Sequence, residues 1–302
     1  MKKGTMKNSL LLLLTASIWG VAFVAQSVGM DYVGPFTFNA VRFLLGGTVL
    51  LPFLMLRSAG KYKGETKAER AARYRVTLIG GICCGIALSS ASLLQQMGIQ
   101  RTTVAKAGFI TALYIIIVPI LGLFFRKSVR KLIWVSVALA IAGMYLLCIK
   151  ESFSVNTGDF FVFLCALVFS VHILVIDYFS PKADGVALSC IQFYTSSVIC
   201  GIGMTLLETP SFEAICSGWM PILYAGILSC GVAYTLQIIG QKGMDPTVAS
   251  LILSLESVIS LIAGWALLGQ ALSPREIGGC VLVFIAIIMA QLPERKPSDS
   301  KA

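Results

Sequence analysis

Arg42 and Glu256 are two side chains of opposite charge standing in otherwise apolar sequence. An Arg or Asp at the centre of a bilayer helix costs on the order of 2.5–3.5 kcal/mol, so such groups face a cavity or a partner. The two can pair with each other and do no more than lock helices together. Alternatively, one or both face a cavity. Arg42 would then grip a carboxylate or phosphate through its fork of donors, and Glu256 would attract a cation or carry a proton. Residue type alone leaves the sign of the ligand open.

Around these charges are groups suited to a small amphipathic solute. Thr15, Trp19, Ala22, Phe23 and Gln26 recur at helical spacing, giving a face with an aromatic surface and a polar end. Ser89, Ser92 and Gln96 share a polar face, with Gln95 alongside. Aromatic planes and amides supply stacking and a few fixed hydrogen bonds, although the same residue types also fasten helices together. His172 is the only histidine and follows Phe169 by one turn. An imidazole titrates near neutral pH, so it is either a proton carrier or a donor to a neighbouring helix. Tyr194 and Tyr234 offer hydroxyls. The candidate substrate-binding set is therefore Trp19, Phe23, Arg42, Gln95, Gln96, Tyr234 and Glu256, and the proton-coupling candidates are Glu256 and His172.

These side chains need elements to hold them. Of 302 residues, 57% are hydrophobic and 13% charged, and the mean hydropathy is +0.87. Water-soluble domains carry about twice that share of charge, which excludes an ordinary soluble enzyme. Apolar stretches such as Ser9–Leu14 and Leu113–Phe125 do not alternate as barrel strands do. An all-α integral membrane protein remains. Runs of about 20 residues bounded by charge, Pro or Gly place ten transmembrane helices near 8–30, 33–56, 75–98, 104–125, 131–149, 158–179, 186–207, 219–240, 246–268 and 274–292. Lys2, Lys3 and Lys7 ahead of an apolar run resemble a secretory signal, but the run continues to Met30 and reads as a retained span. Pro119 is expected to kink span four, while Lys106 and Asp177 lie near span ends and are expected to snorkel to the interface.

Cytoplasmic flanks carry excess Lys and Arg. With the N-terminus inside, nineteen Lys and Arg fall in cytoplasmic segments, and only Arg101, Lys150 and Arg275 fall opposite. Both termini are therefore expected in the cytoplasm, with the chain in the cell (inner) membrane. The net charge of +10 then reports topology, and no nucleic-acid partner is expected. The cationic loop near 57–75 contains Thr66 three residues before Glu69, a capping-box spacing. It predicts a short helix lying on the anionic inner leaflet. The segment 293–302 is polar and expected to be disordered.

A shift of 150 residues lays Ala16–Val21 on Ala166–Val171 and Arg42-Phe43 on Gln192-Phe193, at low identity. Leu94-Gln95 and Gly98 match Leu236-Gln237 and Gly240, and Val104-Ala105 match Val248-Ala249 after a two-residue insertion. These correspondences predict a five-span unit used twice, 1–150 and 151–292. Five is odd, so the second copy would enter from the other side and the halves would be inverted, as in many secondary transporters.

The stretch Val248–Val258, followed by Gly264-Trp265-Ala266-Leu267-Leu268-Gly269-Gln270, resembles the penultimate span of EamA-type members of the drug/metabolite transporter superfamily. Ser17-Ile18-Trp19-Gly20 and Arg42-Phe43 are also similar, and the likeness covers nearly the whole chain. It implies a cavity lined by spans one to four and six to nine, with the fifth and tenth outside. It also implies movement of an amino acid, drug-like or other small metabolite, outward by family habit. The family pattern has Pro after the span-nine Glu and Glu after the Gly, where this chain has Ser257 and Gln270. The first difference removes the proline that would break the helix beside Glu256; the second removes a carboxylate at the far end.

Other classes lack their parts. Nothing in the sequence suits a zinc site, a Gly-x-Ser-x-Gly elbow or a phosphate-binding Gly-rich loop, so no cofactor is expected and neither an enzyme nor ATP-driven transport is indicated. Eight of nine cysteines fall in spans, and no disulfide is expected. A membrane scaffold or sensor would need a soluble domain to report through. The expected partners are a small-molecule solute, protons and the bilayer, with the chain a monomer or weak homodimer.

Overall fold

The computed structural model describes residues 3–61, 66–102, 104–124, 131–148, 156–268 and 273–292. Among these the regular elements are all helices: α1 (Lys3–Gly29), α2 (Pro35–Lys61), α3 (Lys67–Ile99), α4 (Val104–Thr111), α5 (Tyr114–Phe124), α6 (Lys131–Cys148), α7 (Thr157–Phe179) and α8 (Gly185–Leu207). There follow α9 (Phe212–Ser217), α10 (Trp219–Leu223), a π-helical stretch (Tyr224–Tyr234), α11 (Thr235–Gln241), α12 (Pro246–Leu253), α13 (Leu255–Leu268) and α14 (Pro274–Gln291). Eight stretches are long and apolar enough to cross a bilayer, and the shorter apolar helices Lys131–Gly143 and Ile277–Ala290 stand where the fifth and tenth spans are expected. Gln270, the middle of the cationic loop at 62–65 and the tail 293–302 lie outside the described residues.

The solvation pattern is that of a protein dissolved in lipid. Leu56, Phe124 and Leu206 are among many large apolar side chains on the outside, while Arg42, Gln96, His172 and Glu256 are buried. In water that arrangement would be unstable, whereas in hydrocarbon it places apolar surface against acyl chains and polar groups where they find one another. The chain is a multi-pass membrane protein.

Three local features differ from the sequence expectations. Thr66 does form the capping box with Glu69, its hydroxyl accepting from the Glu69 amide while the Glu69 carboxylate accepts from the Thr66 amide. That cap starts α3 itself, however, so the cationic segment from Lys67 is the first turns of span three, not a separate surface helix. Span four breaks at Ala112-Leu113, upstream of Pro119, where Leu113 N donates to Ile110 O (3.1 Å) and Ile115 N to Ala112 O (3.0 Å) in tightened turns; Pro119 sits inside α5. Span eight is no uniform α-helix, since its central 11 residues are π-helical, a register that side-chain periodicity does not announce.

Span nine breaks at Ser254 without a proline. Four serines spaced along it each donate to a carbonyl three residues back: Ser250 to Thr247 (2.8 Å), Ser254 to Leu251 (2.7 Å), Ser257 to Ser254 (2.7 Å) and Ser260 to Ser257 (2.9 Å). Hydroxyls that bond local carbonyls in this way bend helices. Serine chemistry thus supplies the break that the missing proline would otherwise provide, immediately before Glu256.

The packing is the same when the first five spans are exchanged for the last five. α1 packs on the π-helical stretch, α11 and α13, as α7 packs on α3, α4 and α5. α2 lies against the π-helical stretch as α8 lies against α3, and α2 pairs with α8 and α6 with α14. At one end Glu208, after α8, accepts from the Phe36 and Thr37 amides (2.9 and 2.8 Å) and the Thr37 hydroxyl (2.6 Å). A carboxylate there satisfies donors that the start of α2 would otherwise leave open, and α2 carries Arg42. At the same end Lys106 reaches Asp159 at 3.5 Å.

Gly20 sets the approach of α1 to α13. A Cβ there would stand 2.5 Å from the Ile259 Cβ and 2.9 Å from the Glu256 carbonyl oxygen. Gly20→Val is expected to destabilise the solubilised chain by about 1–3 kcal/mol through overpacking. An unchanged thermal midpoint would show that α1 and α13 do not approach this closely.

Candidate functional site

Both groups of spans contribute to one buried cavity. Its walls carry Trp19, Phe23 and Gln26 from α1, Arg42 from α2, Gln95 from α3, and Thr111 and Tyr114 from either side of the span-four break. From the later spans come Phe169 and Ile173 on α7, Ser229 and Tyr234 on the π-helical stretch, Gln237 on α11, and Leu253 and Glu256 flanking the span-nine break. Neither α6 nor α14 contributes. With the solvent at its mouth included, the space among these side chains is about 450 Å3.

Arg42 lies about 10 Å along α2 from its start, at 1.5 Å per residue, and is 2% exposed. Its Nη1 donates to Gln26 Oε1 at 2.9 Å, and its Cζ lies 4.9 Å from the Phe43 ring centroid and 5.5 Å from that of Phe38. Nε and Nη2 have no hydrogen-bond partner. Gln26 is itself held by Gln96, whose Nε2 donates to the Gln26 carbonyl at 3.1 Å. Gln96 therefore stands behind the wall and supports it, while Gln95 lines the cavity with its Nε2 on Thr111 Oγ1 at 3.2 Å.

Glu256 is 4% exposed, and Oε1 accepts from the Tyr114 hydroxyl at 2.9 Å. No ion pair joins it to Arg42 among the described residues, so the permanent lock is absent and both charges border one space. The aromatic wall is built by Trp19, with its ring centroid 4.5 Å from that of Tyr234 and its Nε1 donating to the Ser229 carbonyl at 3.3 Å. His172 is fully buried and is not among the lining residues; its Nε2 lies 3.2 Å from Gln192 Oε1, and its ring centroid 6.1 Å from that of Tyr234. It stands one layer behind the aromatic wall. Tyr194 pairs with Thr48 at 3.4 Å, away from the cavity.

Of the sequence candidates, Trp19, Phe23, Arg42, Gln95, Tyr234 and Glu256 come together at the cavity. Gln96 and His172 are set back from it. Tyr114 escaped notice because it sits in a stretch that reads as unbroken hydrophobic sequence, and Thr111 because nothing marks the break it precedes. Gln237 did carry a signal, since the internal match that pairs it with Gln95 predicts a second amide at the same site. The 150-residue offset likewise pairs Trp19 with Phe169 and Phe23 with Ile173, all four on the walls. The charges do not repeat: Arg42 corresponds to Gln192, and Glu256 to Ala112. The paired scaffold carries an unpaired chemistry.

A family model described as the EamA-like transporter family matches residues 6–149 and 156–291. The chain belongs to the EamA-like transporter family. An uncharacterized transporter of Archaeoglobus fulgidus is 30% identical over 282 residues, covering 93% of this chain and 84% of that one. The uncharacterized inner membrane transporter YedA of Escherichia coli is 22% identical, covering 91% and 87%. A WAT1-related chloroplastic protein of Arabidopsis thaliana is 22% identical, covering 97% and 71%. A solved crystal structure superposes with a TM-score of 0.76 at 18% identity, over 94% of this chain and 96% of that one, a likeness of fold alone. Membership of this family agrees with a transport role and with the broad membrane fold read from the sequence.

Proposed function

We propose that this member of the family is a secondary carrier in the cell's inner membrane, both termini cytoplasmic, which moves a small organic solute outward by alternating access. Two inverted five-span halves, 1–150 and 151–292, rock about the cavity and open it to one side at a time. The observation that carries this reading is the cavity, with walls from both groups of spans and Arg42 and Glu256 on them. The exchange-symmetric packing and the two segments matched by the family model support the halves as units. An odd number of spans per half supports inversion.

The two ends of α1 are packed differently. Ser27, the next residue after the cavity-lining Gln26, borders a polar depression with Met30, Asp31 and Ile99–Arg101 at the ends of α1 and α3. Toward the N-terminal end of α1, Leu12 packs on Gly240 and Asn8 Nδ2 donates to the Lys242 carbonyl at 3.0 Å. With the N-terminus cytoplasmic, the polar depression lies on the outer side and the packed end of α1 on the inner side.

The test is transport by the purified chain in liposomes. Saturable uptake or exchange of a solute without added nucleotide is the expected result, while a non-saturating leak would indicate a channel. Screening metabolites by thermal shift selects the solutes to try, because a ligand that binds only the folded form raises its stability.

A further inference from the structure

We infer that the cavity binds its solute by a carboxylate, held on the Nε–Nη2 edge of Arg42, with the rest of the solute against the aromatic wall. The inference rests on the carrier reading above and adds the chemical class of the cargo.

Three observations converge on it. First, the guanidinium offers two edges, each with two parallel N–H donors, and Gln26 occupies only Nη1. Nε and Nη2 both point along the remaining edge, and both are buried and unpartnered. That pair of donors matches the two oxygens of one carboxylate. Leaving such donors unmet in a dry interior is costly, and among the described residues no carboxylate meets them: Glu256 Oε1 is engaged by Tyr114 and forms no ion pair with Arg42.

Second, Gln26 and the rings of Phe38 and Phe43 hold the guanidinium in place, with Gln96 bracing Gln26 from behind. The fork is therefore pre-oriented, which reduces what a ligand must spend on ordering it. Third, among the described residues Arg42 is the only Lys or Arg on the cavity walls. A phosphate dianion would face one positive charge and, on the same cavity, the Glu256 carboxyl group. A monocarboxylate with an apolar body matches both the single cation and the wall of Trp19, Phe23, Phe169 and Tyr234.

Charge balance then assigns Glu256 a role in the same step. Arg42 and an ionised Glu256 sum to zero, so an added carboxylate leaves one negative charge in a low-dielectric space. That charge is cancelled either by an ammonium on the solute itself or by a proton taken up at Glu256. The groups near Glu256 are the hydroxyl of Tyr114 on α5, Tyr234 on the π-helical stretch and the Cys165 thiol on α7, with Arg42 of α2 elsewhere on the same cavity wall. Among the described residues no second carboxylate lines the cavity to share the proton.

The experiment compares three probes with one ring and different heads: phenylalanine, 3-phenylpropanoate and 3-phenylpropanamide. Each is titrated against the purified full chain by thermal shift and calorimetry. At least one acid is expected to bind about 30-fold or more tightly than the amide, the scale of losing one partner of a buried charge pair. In Arg42→Gln that preference is expected to fall to within about threefold. Binding of phenylalanine alone identifies the ammonium as counter-charge, while binding of both acids, with proton uptake measured in weakly buffered solution, identifies Glu256. The acid-to-amide ratio is read on the unaltered chain, so it stands even if the variant does not fold. Equal binding of acid and amide, or binding of neither acid, overturns the carboxylate site. If liposomes then carry 2-phenylethylamine saturably, the carrier reading survives alone. If an acid binds with the expected preference but never crosses, transport is the claim that fails.

Discussion

Arg42→Met leaves the solubilised chain as stable as the parent, or up to about 2 kcal/mol more stable, while transport falls about 100-fold or more. The two halves of this result have separate causes. Arg42 is 2% exposed with two donors unmet, and exchanging an incompletely paired buried ion for an apolar side chain of similar volume is often neutral or stabilising. Against that stands the lost bond to Gln26 Oε1, worth about 1.5–3 kcal/mol for a charged donor. The two nearly cancel. Function has no such compensation, because a methionine offers a carboxylate nothing and the bidentate pair is lost entirely. Thermal midpoint and liposome flux, measured on one preparation, check both halves. If the variant unfolds with a loss of about 3–5 kcal/mol, the scale for breaking a satisfied buried pair, while residual folded protein still transports, then Arg42 is a structural lock.

Glu256→Gln is expected to uncouple movement from protons without stopping movement. The substituted amide still presents an oxygen to the Tyr114 hydroxyl, now 2.9 Å from Oε1, so the span-nine break and the cavity wall are retained. What is lost is a group able to take up and release a proton. With one proton per solute, a gradient of one pH unit sustains at most about tenfold accumulation, the 1.36 kcal/mol equivalent of one pH unit. The parent should approach that ratio, and Glu256→Gln should settle near unity while solute exchange at equal pH continues. Unchanged pH-driven accumulation in the variant would remove Glu256 from the coupling step. His172 would then be the remaining candidate, although it stands behind the aromatic wall and engages Gln192 at 3.2 Å.

Serine and proline give different views of the same helix break. Proline announces itself in a sequence because it always removes a donor, and Pro119 accordingly drew the expected kink to itself. The observed break in span four lies upstream, and that in span nine is made by Ser254 and its neighbours bonding back onto the chain. A serine bonds back in this way only when packing keeps it from water and from other partners, so its effect depends on neighbours. Tyr114 was missed for the same reason, being an aromatic in an apolar run until the break turns it toward Glu256.

The amino-acid order by itself determined the solvent in which this chain folds, its helical class, its family and the few side chains able to do chemistry. Those follow from composition, from runs about 20 residues long and from the high cost of polar groups in hydrocarbon, all of which act locally along the chain. Only the tertiary structure decided that Arg42 and Glu256 share one cavity without pairing, that Gln96 and His172 support the wall, and that Tyr114 and Thr111 belong to it. The reason is geometric. Helical periodicity assigns a residue to a face, but which face meets which depends on crossings such as that of α1 on α13 at Gly20, made between segments more than 200 residues apart in sequence.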